Sequence, residues 1–383
     1  MSTENKQHTI QDVIIVGGGL AGLSLAIQLA KGGRSVTLFE KETYPFHRVC
    51  GEYISNESRH FLNELGLDID AMQLPEINTL MVSAPSGTFL ESKLDLGGFG
   101  ISRYFLDHEL YTLAKKSGAT IVEGTKVSAV NFKGDHFEIH TSSGITIAKV
   151  VAGTFGKRSN LDVKWKRPFI QDKPGKLNNY VGVKYHIRTT QKKGLIALHN
   201  FANGYCGISQ IEDDKYCLCY LTSAVNLKRS NYSIKEMEKD VLYKNPFLKL
   251  LFLNADFIFE EPVTISQISF QQKSLVEDHV LMIGDAAGMI TPLCGNGMSM
   301  ALHASKISYG FIRQFLNGSI TREQMEEFYV KQWNVNFGRR LKTGRLIQSM
   351  FGNDKITSLF VSSLKQFPWL VKQLITATHG KSF

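Results

Sequence analysis

Three glycines and a glutamate carry the first chemistry legible in this chain. In "DVIIVGGGLAGLSLAIQLAKGGRSVTLFEK", Gly17, Gly19 and Gly22 supply GxGxxG, and Glu40 stands near its end. The first glycine permits a tight turn, the second lets backbone approach a pyrophosphate, and the third lets a helix pack on a strand. Leu20 and Ala21 open that helix, whose free N–H groups and partial positive charge suit phosphates. Glu40, followed by Lys41, has the spacing of a carboxylate that accepts from ribose hydroxyls. It repels a 2′-phosphate, so the motif asks for FAD or NAD rather than NADP.

A second set lies in "HVLMIGDAAGMITPLCGNGMSMALHASK". Here Gly284 and Asp285 follow a buried strand, and the carboxylate can bind ribityl hydroxyls. Pro292 fixes a turn. Gly295, Asn296, Gly297 and Met298 lead into a helix whose positive end can face a flavin's N1–C2=O edge. This second site selects FAD.

A third stretch, "FHRVCGEYIS", puts Arg48, Cys50 and Gly51 in the loop leaving the second strand. Gly51 allows close backbone approach, and Arg48 can face phosphate or ribose. Cys50 is read as a wall of the cofactor pocket, with an inert buried thiol and a reactive redox thiol as alternatives. The other cysteines are Cys206, Cys217, Cys219 and Cys294. The count is odd and no CxxC pair exists, so reduced thiols and no metal site are expected. Cys217 and Cys219 share one face of a strand.

The elements that must position these groups follow from pattern. Residues 13–16 are a continuous apolar run, as in a parallel strand buried on both faces. A hydropathy window marks residues 13–30 as long and apolar enough for a membrane span, but the glycine spacing argues for strand, turn and helix. The central third alternates apolar and polar residues, as antiparallel strands with one wet face do. From about Thr321 the pattern is helical, with lysines between the apolar positions.

These motifs together resemble the FAD-dependent oxidoreductases of the para-hydroxybenzoate hydroxylase fold, and Pro45, Arg48, Cys50 and Gly51 resemble the geranylgeranyl reductases among them. The resemblance implies an α/β architecture: a Rossmann-like FAD-binding domain interleaved with an antiparallel β-sheet substrate domain, plus C-terminal helices. The corresponding boundaries are 1–80, 101–160 and 272–330 for FAD, 81–100 and 161–271 for substrate, and 331–383 for a helical cap. It further implies that Arg103 reaches the FAD phosphates, that Asp107 opens a helix, and that Val127 meets the adenine through backbone. Tyr205, in "NGYCGI", resembles a strand tyrosine facing the flavin. His199 is a weaker pocket candidate. Phe155 stands where hydroxylases of the family carry an aspartate, which argues against a standard NAD(P)H-driven hydroxylase.

The activity implied is hydride transfer from reduced flavin N5 to a C=C bond of an apolar substrate. The alternative is a flavin C4a-hydroperoxide monooxygenase that hydroxylates or epoxidises. A halogenase is disfavoured because Trp165, Trp333 and Trp369 form no WxWxIP strand, and a flavoprotein without turnover is the remaining reading. The single dinucleotide fingerprint implies an external reductant, NAD(P)H or a reductase protein.

The formal charge is +9 over 383 residues at 43% apolar and 21% charged, an ordinary globular composition. Residues 157–176 are strongly basic and no acid follows Asp354. Such surfaces suit solvent, anionic lipid or an acidic carrier protein; no nucleic-acid motif accompanies them. The polar start lacks an apolar targeting region, so a cytoplasmic protein is expected, peripheral contact with a membrane being the alternative.

Overall fold

In the computed structural model the apolar run at residues 13–16 lies at the centre of a parallel sheet, wholly covered on both faces. The structure describes residues 10–172, 175, 178–350 and 354–383. The first nine residues, and Lys173 and Lys176 of the basic run, lie outside these.

Elements are numbered in chain order. The first sheet runs β16 (Val276–Glu277), β17 (Val280–Met282), β9 (Gly144–Gly153), β1 (Gln11–Val16), β2 (Val36–Phe39), β6 (Thr120–Val122). From β17 to β6 every pairing is parallel, and the hairpin β7 (Ala129–Phe132) and β8 (Phe137–Thr141) adds to β9. Helix α1 (Leu20–Lys31) follows β1 directly and packs on α3 (Arg103–Lys116) and α9 (Gly297–Leu316). Leu23, Leu25, Ile27 and Leu29 of α1 are fully buried, each contributing about 1.5–3 kcal/mol by leaving water. The stretch read as a possible membrane span is therefore a strand and a helix of this core. No helix among the described residues is long and apolar enough to cross a membrane.

The second sheet runs β14 (Asp256–Phe257), β10 (Tyr180–Arg188), β13 (Tyr216–Ser223), β12 (Gly204–Gln210), β11 (Leu195–Phe201), β4 (Glu76–Ser83), β5 (Phe89–Gly100), β3 (Tyr53–Ser55), with β15 (Val263–Ile268) also on β10. It is antiparallel except where β11 meets β4. Its strands differ from the sequence reading in one respect: β10 to β13 have no wet face. Helices α6 (Ala224–Arg229), α7 (Ile234–Val241) and α8 (Pro246–Asn254) bury Tyr185, Ile208, Leu218 and Tyr220 on one side. The alternating polar residues on the other side, Lys184, His186 and Ser209, are buried because they face the loop after β2.

One further reading needs correction. Helix α3 opens at Arg103, not Asp107, because Ser102 caps it by accepting from the Phe105 amide. The C-terminal helices reach both layers. Helix α10 (Arg322–Met350) packs along α9 of the first sheet's layer, while α11 (Asp354–Gln366) and α12 (Pro368–Thr378) reach β5. Helices α2 (Arg59–Leu65), α4 (Asn160–Lys164) and α5 (Pro168–Gln171) complete the connections.

Candidate functional site

A cavity of about 880 Å³ opens between the two sheets. Gly17, Gly19, Leu20, Ala21, Glu40 and Lys41 line it from the first βα unit, Arg48, Cys50 and Gly51 from the loop after β2, and Arg103 and Val127 beyond. Gly284, Asp285, Pro292, Gly295, Asn296, Gly297 and Met298 line it from the far side, and Tyr205 from β12. Gly22 stands behind the wall, where a Cβ would strike the Gly17 carbonyl and the Thr154 hydroxyl. Phe155 is on the wall. His199 is not: it is buried against Ser83 at 2.8 Å and stacked on Phe247.

Both helices that start at this wall, α1 at Gly19 and α9 at Asn296, lack a side-chain cap on their first turns. Uncapped N–H groups at a cavity are suited to an anionic or hydrogen-bonding ligand. Gly17 adopts φ +106°, and a Cβ there would meet the Phe155 backbone, so the turn needs glycine. Glu40 accepts from the Gly18 amide at 2.7 Å and from Arg48 at 3.0 Å. Arg48 also reaches Asp107, which holds Arg103 at 2.7 Å. Glu40, Asp107 and the two arginines are thus fixed as one network beside the start of α1.

A charge cluster not evident in the sequence lies beside Cys50. Glu52, the residue after Gly51, accepts from Lys184 Nζ and from the Arg103 amide, at 2.6 and 2.8 Å. Its other oxygen is 2.6 Å from His186 Nε2. Burial would push the Glu52 carboxyl up, but Lys184 and His186 outweigh it and hold it at about 2. Cys217 donates to the Cys50 carbonyl at 3.2 Å, and Ser209 to the Gly51 carbonyl at 3.3 Å. Glu52, His186 and Cys217 converge as metal ligands could. The Lys184 ammonium already supplies the positive charge such a set would need. The sequence signal for this cluster was a lysine and a histidine two apart, on one face of the apolar β10.

A second group also escaped the sequence reading. Lys273 donates to the carbonyls of Lys157 and Asp285, both at 2.8 Å, and Arg167 donates to the Ala286 carbonyl at 3.1 Å. Burial pulls the Lys273 ammonium down to about 8. These two cations fasten the segment carrying Asp285 from behind.

On the second sheet the wall is made by Ile196, Leu198, Leu221 and Ile265 around Tyr205, with Met289 of the facing segment packed against them. The Tyr205 hydroxyl is buried with no hydrogen-bond partner of ordinary geometry, and burial raises it well above the usual phenol range. It is a neutral hydroxyl on a residue of the cavity wall, with Thr291 close to it. Among the lining residues there is no tryptophan.

Comparison with known proteins agrees with this geometry. The family model described as FAD dependent oxidoreductase (DAO) matches residues 12–48. The chain is 25% identical over 360 residues to conditioned medium factor receptor 1 of Dictyostelium discoideum, spanning 86% of this chain and 69% of that protein. It is 23% identical over 382 residues to a digeranylgeranylglycerophospholipid reductase of Methanosarcina acetivorans, spanning 93% and 89%. It is 24% identical over 353 residues to squalene epoxidase 4 of Arabidopsis thaliana, spanning 85% and 67%. Among solved structures, a flavin-dependent brominase superposes with TM-score 0.79 at 20% identity, covering 97% of this chain and 93% of its own. A geranylgeranyl bacteriochlorophyll reductase-like protein from Thermoplasma acidophilum gives 0.75 at 19%, covering 96% and 99%. With the glycine turn, the uncapped helices and the cavity they line, this makes the chain an FAD-dependent oxidoreductase, with the fold shared by geranylgeranyl reductase-like proteins and flavin-dependent halogenases.

Proposed function

We propose that the chain holds FAD along the first-sheet wall and passes a hydride from the reduced flavin's N5 to a C=C bond of an apolar substrate on the second-sheet wall. The observation that carries this reading is the second wall itself. Apart from Tyr53, Tyr205, Ser209, Cys219, Tyr220 and Thr264, its side chains are apolar, and none of these six is ionised at neutral pH unless a thiol is activated. Burial pushes the Cys219 thiol up to about 12, so it is neutral. A wall without charge selects for hydrocarbon and against acidic small molecules.

In this reading the start of α1 receives the pyrophosphate, and Glu40 receives the ribose, with Lys41 beside it. Arg103 approaches the phosphates and Val127 the adenine. Asp285 receives the ribityl chain, and Pro292, Gly295 and the first turn of α9 lie along the flavin edge. The bound group supplies the two-electron chemistry. The protein's part is to orient it, keep water out and present a donor. Cys50 and Gly51 form the wall facing the second sheet, pinned there by Glu52, Cys217 and Ser209. A Cβ on Gly51 would meet nothing within 4 Å, so this glycine leaves open space in the cavity. Tyr205 hydrogen-bonds the one polar atom of the substrate.

Electrons arrive from an external donor, NAD(P)H or a reductase protein. The substrate is a free apolar molecule, or one presented on lipid or an acidic carrier. The basic C-terminal helices, with Trp369 and Leu359 exposed, suit either presentation.

The test is anaerobic photoreduction of the FAD-loaded protein, followed by mixing with candidate apolar alkenes or with oxygenated buffer. Anaerobic flavin oxidation by an alkene, with a saturated product, supports the reading. An oxygenated product formed only with oxygen overturns it in favour of a monooxygenase.

A further inference from the structure

Five of the ten buried polar side-chain atoms that lack a hydrogen-bond partner among the described residues lie in one place. They are Glu57 Oε1, Ser58 Oγ, Asn296 Oδ1, Ser299 Oγ and His303 Nδ1. Asn296, Ser299 and His303 are spaced i, i+3 and i+7, one face of α9. Glu57 and Ser58 come from the turn Asn56–Ser58, which packs on that helix. An orphaned buried polar group costs about 1–3 kcal/mol, and native proteins satisfy such groups with ordered water. The five belong to two segments in contact, and a water that satisfied them would need two to four such polar partners.

This row of polar groups has two ends. Asn296 lines the cavity at the start of α9. His303, about 10 Å further along the helix, is only partly buried, with Lys306, half-buried and paired with Glu64, beyond it. Glu57 lies between. Burial raises its carboxyl, against the pull of Arg340, Asn296 and the Gly380 amide, so it can take and release a proton nearer neutrality than an ordinary carboxylate. The charged and titratable groups facing it are Arg340 from α10 at 3.5 Å and Tyr53 from β3. Arg340 and Lys306 also face His303, which burial first of all pulls down to about 4. Phe383 closes the outer side, its amide donating to the Glu57 carbonyl and its ring stacked on His303 at 4.1 Å.

We propose that Glu57, Ser58, Ser299 and His303, with Asn296 at the inner end, line a water-filled route that carries protons to the FAD cavity. This rests on the cofactor reading above but not on its choice of reaction. Reduced anionic flavin plus an alkene needs one proton: hydride goes to one carbon, the proton to the other, and the flavin leaves oxidised. Reduced anionic flavin plus oxygen likewise takes up one proton, giving oxidised flavin and hydrogen peroxide. The second reaction needs no knowledge of the substrate, so oxygen is the probe. Glu57 touches no reacting atom here; it is a positioning and relay residue.

The experiment photoreduces FAD-loaded wild-type, Glu57→Gln, Glu57→Asp and Ser299→Ala proteins without oxygen. Each is then mixed with oxygenated, weakly buffered solution containing a pH indicator. Flavin reoxidation and coupled proton uptake are expected to slow about tenfold or more in Glu57→Gln. The slowed step should acquire a solvent isotope effect and be restored by Glu57→Asp or by an added small carboxylic acid. Ser299→Ala, which leaves the Glu57–Arg340 pair intact, should slow in the same sense and covers the case in which Glu57→Gln fails to fold. Wild-type rates in both variants, with FAD still bound, overturn the route alone. A wild-type chain that takes up no FAD overturns the cofactor reading and the route with it.

Discussion

Glu52 and Lys184 meet 2.6 Å apart with both side chains wholly buried, one from the loop after β2 and the other from the middle of β10. The pair, with His186, is where the loop after β2 is fixed to the second sheet. Glu52 holds this position at φ +55°, a backbone region that disfavours side chains other than glycine, asparagine and aspartate. The contacts of its carboxylate offset that strain.

Removing one partner should therefore cost more than removing both. Lys184→Met leaves a carboxylate buried beside a histidine, and a loss of about 3–5 kcal/mol is expected. Glu52→Leu with Lys184→Met should recover most of it. Urea unfolding of the two single variants and the double variant measures the coupling.

The same carboxyl gives a signed pH dependence. It titrates near 2 when folded against an ordinary 4.5, so the native state binds fewer protons in that interval. Its contribution is complete above about pH 4.5 and drains away as pH falls towards 2. Glu52→Gln should flatten the stability curve in that window, read by thermal melts at fixed ionic strength.

Lys273 predicts the opposite limb. Its ammonium titrates near 8 when folded against an ordinary 10.5. Between those values the unfolded chain holds a proton that the native chain has released, so stability from this group rises with pH. Lys273→Met should remove that rise. It also frees the carbonyls of Lys157 and Asp285, and a loss of FAD affinity of about tenfold is expected by fluorescence titration.

Gly22, behind the cavity wall, and Gly51, on it, should respond differently. Gly22→Ala drives a methyl into the Gly17 carbonyl and should leave a protein with little or no bound flavin. Gly51→Ala meets no protein atom within 4 Å, so it should fold as the unsubstituted chain does and retain more flavin than Gly22→Ala. The ratio of flavin absorbance to protein after gel filtration separates them.

Tyr205→Phe separates binding from stability. The hydroxyl is buried without a partner, so its removal should leave the melting temperature unchanged or higher. A fall in kcat/KM of about tenfold or more is expected on a substrate whose oxygen it meets, with little change on a hydrocarbon lacking one.

The sequence by itself determined the parts whose physics is local. GxGxxG before Glu40 dictates strand, turn and helix, with Gly17 and Gly22 at positions where a Cβ would strike backbone. The segment from Gly284 to Met298 does the same for the opposite wall, and both end on the cavity. The alternating strands were legible too, but not that both of their faces would be covered. That depends on α6 to α8 and on the loop after β2, brought there by chain far away in sequence. Only the tertiary structure decided that Glu52 meets Lys184 and His186 across more than 130 residues, a contact that no spacing encodes. The same holds for Lys273 behind Asp285 and for Glu57 beneath α9. Such groups are ordinary polar residues in sequence. Burial and a partner of opposite charge or vacant hydrogen-bonding capacity give them their chemistry, and both are properties of the folded chain alone.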